Sequence, residues 1–68
     1  MRVLLIERQN GYRMYEVHDG PKWWTARHNV VTGDWYVVNS KLTPLRDWLK
    51  LWLKVVGAAE KWAKDNVN

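Results

Sequence analysis

The chain has no cysteine, one serine (Ser40), two histidines, two prolines and four glycines that never neighbour one another. Without cysteine there is no disulfide scaffold and no thiolate zinc site, so a small core must hold the fold unaided. Four isolated glycines make no phosphate-cradling loop, and nothing around Ser40 resembles a nucleophile elbow. His18 and His28 lack the spacing of a zinc motif; His18 reads as a turn or surface residue and His28 as a core-edge one. The expected class is therefore non-catalytic, with no metal and no cofactor. Long apolar runs are also missing. Only Val3-Leu4-Leu5-Ile6 is continuously apolar near the start, far short of the about 7–15 residues of a secretory signal. The apolar stretch near the C-terminus is interrupted by Lys50 and Lys54, short of the about 20 residues of a membrane span. These absences point to a cytoplasmic protein, with a membrane an unfavoured partner.

What remains is 68 residues, 26% charged and 47% hydrophobic, with six tryptophans and a net charge of +4. That length allows one small domain, over 1–68, and the composition is that of a folded domain and not of a disordered tail. Asn10-Gly11, Asp19-Gly20 and Thr32-Gly33 are turn signals between four strand-like runs, expected at about 2–8, 12–18, 22–31 and 34–39. The pattern is an antiparallel β-meander.

Two-residue turns at those three places divide the side chains between two faces. Leu4, Ile6, Tyr15, Val17, Trp24, Ala26, Val30, Trp35 and Val37 fall on a core face. Leu5, Tyr12, Met14, Glu16, Trp23, Thr25, Arg27, Asn29, Tyr36 and Val38 fall on the other.

A helix is expected over about 44–64. Thr43 suits its N-cap, Pro44 its first position and Asp47 the positive end of its dipole. Leu45, Trp48, Leu49, Trp52, Val55, Val56, Ala59, Trp62 and Ala63 recur at the spacing of one amphipathic face. Leu51, Leu53 and Ala58 widen that face. The fold class is thus α+β: a four-stranded antiparallel meander covered on one face by a single C-terminal helix. The helix carries five basic and two acidic residues, and the remainder six and five, so the positive excess lies mostly on the helix. Its basic residues fall opposite the apolar stripe.

A binding surface follows from the mixed sheet face. Tyr12, Trp23 and Tyr36 offer rings for stacking, and Thr25, Arg27 and Asn29 offer polar readers, with Arg46, Lys50, Lys54 and Lys61 as electrostatic support. Nucleic acid is the preferred partner on this reading. The alternative is an acidic or apolar protein surface. There the chain acts as a small accessory or inhibitory protein, of the size found in phages and mobile elements, docked on a larger enzyme or paired as a homodimer.

Tyr12 to Trp35 also carries Asp19-Gly20, the Trp23-Trp24 pair, His28-Asn29 and a final Trp35. This third of the chain resembles the WW domain, a three-stranded module for proline-rich peptides. It departs from that pattern at Tyr12, where the first signature tryptophan belongs, in the spacing after Trp24, and in having no proline soon after Trp35. A meander with aromatic pairs generates the same pattern, and the helix occupies a face such a module leaves open.

Overall fold

The computed structural model describes residues 1–41 and 49–66. Four strands, β1 (Arg2–Gln9), β2 (Tyr12–Asp19), β3 (Lys22–Asn29) and β4 (Trp35–Asn39), form one antiparallel sheet in sequence order, followed by the helix α1 (Leu49–Asn66). The α+β meander is thus as expected. With a fourth strand beside Tyr12–Asp19 and a helix on the sheet, it is not a three-stranded module.

The helix lies on the face that carries Tyr15, Val17, Trp24, Ala26 and Val37, and meets them with Val55, Val56 and Ala59. Val3, Leu5, Trp35, Leu51, Trp52, Ala58, Trp62 and Ala63 pack around this cluster. Burying such a face is the main stabilisation open to a chain without cross-links, at roughly 25 cal/mol for each Å² of apolar surface removed from water. Tyr15 sits at the centre, fully buried, with the Trp35 ring at 5.7 Å and the Trp62 ring edge-on at 6.1 Å.

The expected helix start, with Thr43, Pro44, Leu45, Arg46, Asp47 and Trp48, lies outside the described residues. At its other end α1 continues to Asn66, two residues past the expected boundary, and the Asn66 side-chain amide donates to the Trp62 carbonyl at 2.8 Å. Leu51 and Ala58 join the core flank, whereas Leu49 and Leu53 stay more than half exposed.

Three details of the sheet depart from the sequence reading. The first hairpin turns at Asn10-Gly11 as expected, Gly11 taking a φ of +88°, but the pairing of β1 with β2 slips by one residue at Ile6. Glu7 faces Met14 while Leu5 faces Tyr15, so Ile6 is the extra residue of a β-bulge. Every residue of β1 before the bulge is thereby reversed. Val3 and Leu5 reach the core, and Leu4 and Ile6, expected there, point away from the helix and stay 37% and 47% exposed.

The second hairpin turns at Gly20-Pro21, since Asp19 pairs with Lys22. Proline has no N–H to give a ladder, and its fixed negative φ suits the second position of a turn whose first residue, Gly20, has a φ of +62°. The shift relative to Asp19-Gly20 is two residues, so the faces of β2 and β3 are kept.

The third connection is longer than two residues. β3 ends at Asn29, and Val30 and Val31, expected in the strand, lie in a loop at 44% and 81% exposure. The Asn29 side-chain oxygen accepts from the Val31 and Thr32 amides at 3.0 and 3.1 Å, and the Gly33 amide donates to the Asn29 carbonyl at 2.8 Å. An asparagine that caps its own loop competes with continued pairing, and here it ends the strand.

Candidate functional site: the open face of the sheet

Among the described residues the helix covers one side of the sheet and no element lies on the other, where Val38 is buried and the remaining side chains are half-buried or exposed. On that open side the strand registers stack the side chains in cross-strand rows. Arg2, His18 and Trp23 form one row. Leu4, Glu16, Thr25 and Val38 form the next. Ile6 and Glu7, side by side because of the bulge, continue through Met14 and Arg27 to Tyr36. Gln9, Tyr12 and Asn29 complete it. All six sheet residues expected at the site, Tyr12, Trp23, Thr25, Arg27, Asn29 and Tyr36, therefore share one surface.

Their polar groups are largely engaged with one another. Arg27 lies between two rings, its guanidinium carbon 5.8 Å from the centre of Tyr12 on β2 and 5.6 Å from that of Tyr36 on β4. Each such contact is worth about 0.5–1 kcal/mol at an exposed site. Trp23 stacks with His18 at 6.0 Å, and His18 Nε2 is 2.9 Å from Glu16 Oε1. The Asn29 side-chain oxygen is spent on its loop, and Glu7 accepts from the Gln9 side chain.

Two shallow recesses adjoin across Arg27. One, about 230 Å³, is lined by Ile6, Met14, Thr25, Arg27, Tyr36 and Val38. Its neighbour, about 220 Å³, is lined by Tyr12, Arg27, Asn29, Asp34 and Tyr36.

Sequence reasoning missed Leu4 and Ile6 as members of this surface. Their run is apolar at four consecutive positions, so alternation does not say which two face the core, and only the bulge decides it. With them present, the strands of this face carry two arginines (Arg2, Arg27) against two glutamates (Glu7, Glu16), and Asp34 at the recess beside Arg27 brings the formal charge to −1.

The helix cations sit elsewhere. Lys50, Lys54 and Lys61 recur at spacings that place them within about 40° of one another on α1, opposite Val55 and Ala59. They are exposed, and Lys54 Nζ lies 3.9 Å from Asp19 at the β2–β3 turn. Arg46 lies outside the described residues. Since the apolar side of α1 rests on the covered face of the sheet, the lysine stripe and the open face look in opposite directions. For Lys50 and Lys61 both layers intervene, about 10 Å from sheet to packed layer and a helix radius beyond, whereas Lys54 reaches round to the end of the sheet at Asp19 and is paired there. A screening length of about 8 Å at physiological salt leaves the lysines little influence on a ligand seated on the sheet.

At the edge of the core, His28 stacks on Trp35 at 4.2 Å with the rings nearly parallel. Burial holds its pKa below the usual 6.5; Glu60 pulls it up and Arg13, its cross-strand partner, pushes it further down. Among the described residues no three His, Asp or Glu side chains group as metal ligands, and no helix is long and apolar enough to cross a membrane. No protein-family model matches the chain, and no curated protein or solved structure compared with it does either.

Proposed function

We propose that this is a non-catalytic binding protein whose open sheet face docks on another protein. The observation that carries the reading is the outward turn of Leu4 and Ile6. It joins them to Met14, Tyr36 and Trp23 on a face with no positive excess, where aromatic and arginine anchors are surrounded by aliphatic side chains. Interfaces between proteins favour such composition, with Trp, Tyr and Arg as the anchors and charge depleted at the centre. Nucleic acid, by contrast, draws its affinity from several cations along one track, and this face offers two arginines offset by two glutamates.

Site-directed photocrosslinking tests the reading. A photoreactive phenylalanine analogue in place of Tyr36 on the open face, or of Lys50 on the helix, is irradiated in lysate of the cells that make the protein. Protein adducts at position 36 that Ile6→Glu removes are the expected result. Nucleic-acid adducts at position 36, or adducts at position 50 alone, refute it.

A second reading rests on the lysine stripe, which can bind nucleic acid without sequence preference. Its signature is a salt slope of about 2.7, the value for three phosphate contacts at about 0.9 each. Binding of that kind to mixed DNA and RNA oligonucleotides is abolished by Lys50→Glu with Lys61→Glu, and is indifferent to Trp23 and Arg27.

A further inference from the structure

The open face has two features that together specify what it would hold. The first is the apolar recess of about 230 Å³ beside Ile6, Met14 and Val38. That is below the 300–1,000 Å³ typical of small-molecule sites, and suits one or two inserted side chains. The second is Arg27. No carboxylate lies within ion-pair distance of it among the described residues, yet it is held between Tyr12 and Tyr36. Its N–H groups have no hydrogen-bond acceptor among the described residues, so the N–H edge can meet a carboxylate in a two-pronged pair. Holding the arginine in place beforehand also lowers the entropy lost when a ligand arrives.

Resting on the reading of this face as a protein-docking surface, we infer that its partner presents an aliphatic side chain with a carboxylate directly beside it. The aliphatic group fills the recess, and the carboxylate meets the Arg27 edge that borders it. Asp34 lines the adjoining polar recess and accepts from the Thr32 hydroxyl at 3.1 Å, so the segment beyond the carboxylate is neutral or basic. A phosphate chain does not fit this pattern, because the face scatters Arg2 and Arg27 among Glu7, Glu16 and Asp34 and so has no track of cations for successive phosphates.

The test uses the full chain and two capped tetrapeptides, serine-leucine-glutamate-serine and its glutamine counterpart, followed by amide chemical shifts in ¹⁵N-labelled protein. The glutamate peptide is expected to shift Met14, Thr25, Arg27 and Tyr36, and to bind at least about fivefold more tightly than the glutamine peptide, the scale of one charge-assisted pair. Arg27→Gln, checked for an unchanged spectrum away from the site, should bind both peptides equally, and Arg27→Lys should restore part of the difference. Equal affinity of the two peptides for the wild type, no shifts at peptide saturation, or shifts centred on Lys50 and Lys61 overturn the inference. Sedimentation showing a dimer that Ile6→Glu dissolves also overturns it, by making a second copy the occupant, while the protein-docking reading survives. Oligonucleotide shifts on the same four residues defeat both.

Discussion

Truncating Leu5, and separately Leu4 and Ile6, distinguishes the bulged sheet from an unbroken hairpin. Leu5 faces Tyr15 across the strands and packs on the core, whereas Leu4 and Ile6 keep 37% and 47% of their surface in solvent. A fully buried leucine costs about 2.7–5.0 kcal/mol on conversion to alanine. Leu5 lies at the rim of the cluster, so its loss should cost about 2 kcal/mol, below that range. Leu4→Ala and Ile6→Ala should each cost under about 1 kcal/mol, mostly in strand preference. A domain of this length is stable by roughly 3–10 kcal/mol in total, so the difference is large. With an unfolding entropy of about 2.1 cal/mol/K per residue, 1 kcal/mol moves the midpoint by about 7 °C. Thermal unfolding followed by circular dichroism should then fall by about 14 °C for Leu5→Ala and by less than half of that for the other two. An unbroken two-residue hairpin places Leu4 and Ile6 in the core and reverses the order. Equal or greater losses for Leu4→Ala or Ile6→Ala would therefore refute the bulge and the composition of the open face with it.

Three further outcomes follow from single side chains. The Tyr15 hydroxyl is buried with no hydrogen-bond partner among the described residues. An unsatisfied buried group costs about 1–3 kcal/mol, so Tyr15→Phe should leave the urea midpoint unchanged or raise it, and a marked loss would mean the hydroxyl has a partner. Gly57 sits in α1 with open space where a Cβ would be, so Gly57→Ala should add about 0.5–1 kcal/mol in the same assay. His28 has a folded-state pKa below 6.5, which makes the unfolded chain bind the extra proton first. Its contribution to stability is complete above 6.5 and is lost as the pH falls from there through the lower folded value. An NMR titration of the His28 ring should give a midpoint under 6.5, and His28→Asn should flatten that part of the stability profile.

Much of this fold can be read from residue order, because the signals that set it are local. Turn residues punctuate the meander, and the three-and-four spacing of Trp52, Val55, Val56, Ala59, Trp62 and Ala63 marks the helix face that the structure buries. The grouping of Tyr12, Trp23, Thr25, Arg27, Asn29 and Tyr36 follows from period-two alternation, and it survives a two-residue change of register at both later turns, because an even shift keeps every side chain on its face. β1 fails for the complementary reason. A bulge is an odd shift, and in Val3-Leu4-Leu5-Ile6 either alternate pair is apolar enough for the core. The choice is made by tertiary packing, with Val3 and Leu5 set against Val17 and Tyr15. The distance between the lysines and the open face was likewise illegible in the net charge, which sums over surfaces without saying where they point.

The bulge also bears on how this protein meets others. β1 is an edge strand of eight residues with a four-residue apolar run, the kind of edge that invites pairing with another chain. An inserted residue disturbs the ladder and increases the local twist, which spoils the edge as a template. Arg2 before the run, and Glu7 and Arg8 after it, add charge on both sides. The other edge, β4, is only five residues long. Main-chain pairing is thus discouraged at both edges, while the same inserted residue places Ile6 and Glu7 together on the open face. On the proposed docking reading, association is directed away from the backbone and toward side chains, where an aliphatic recess and an arginine would select a partner and an exposed strand edge would not.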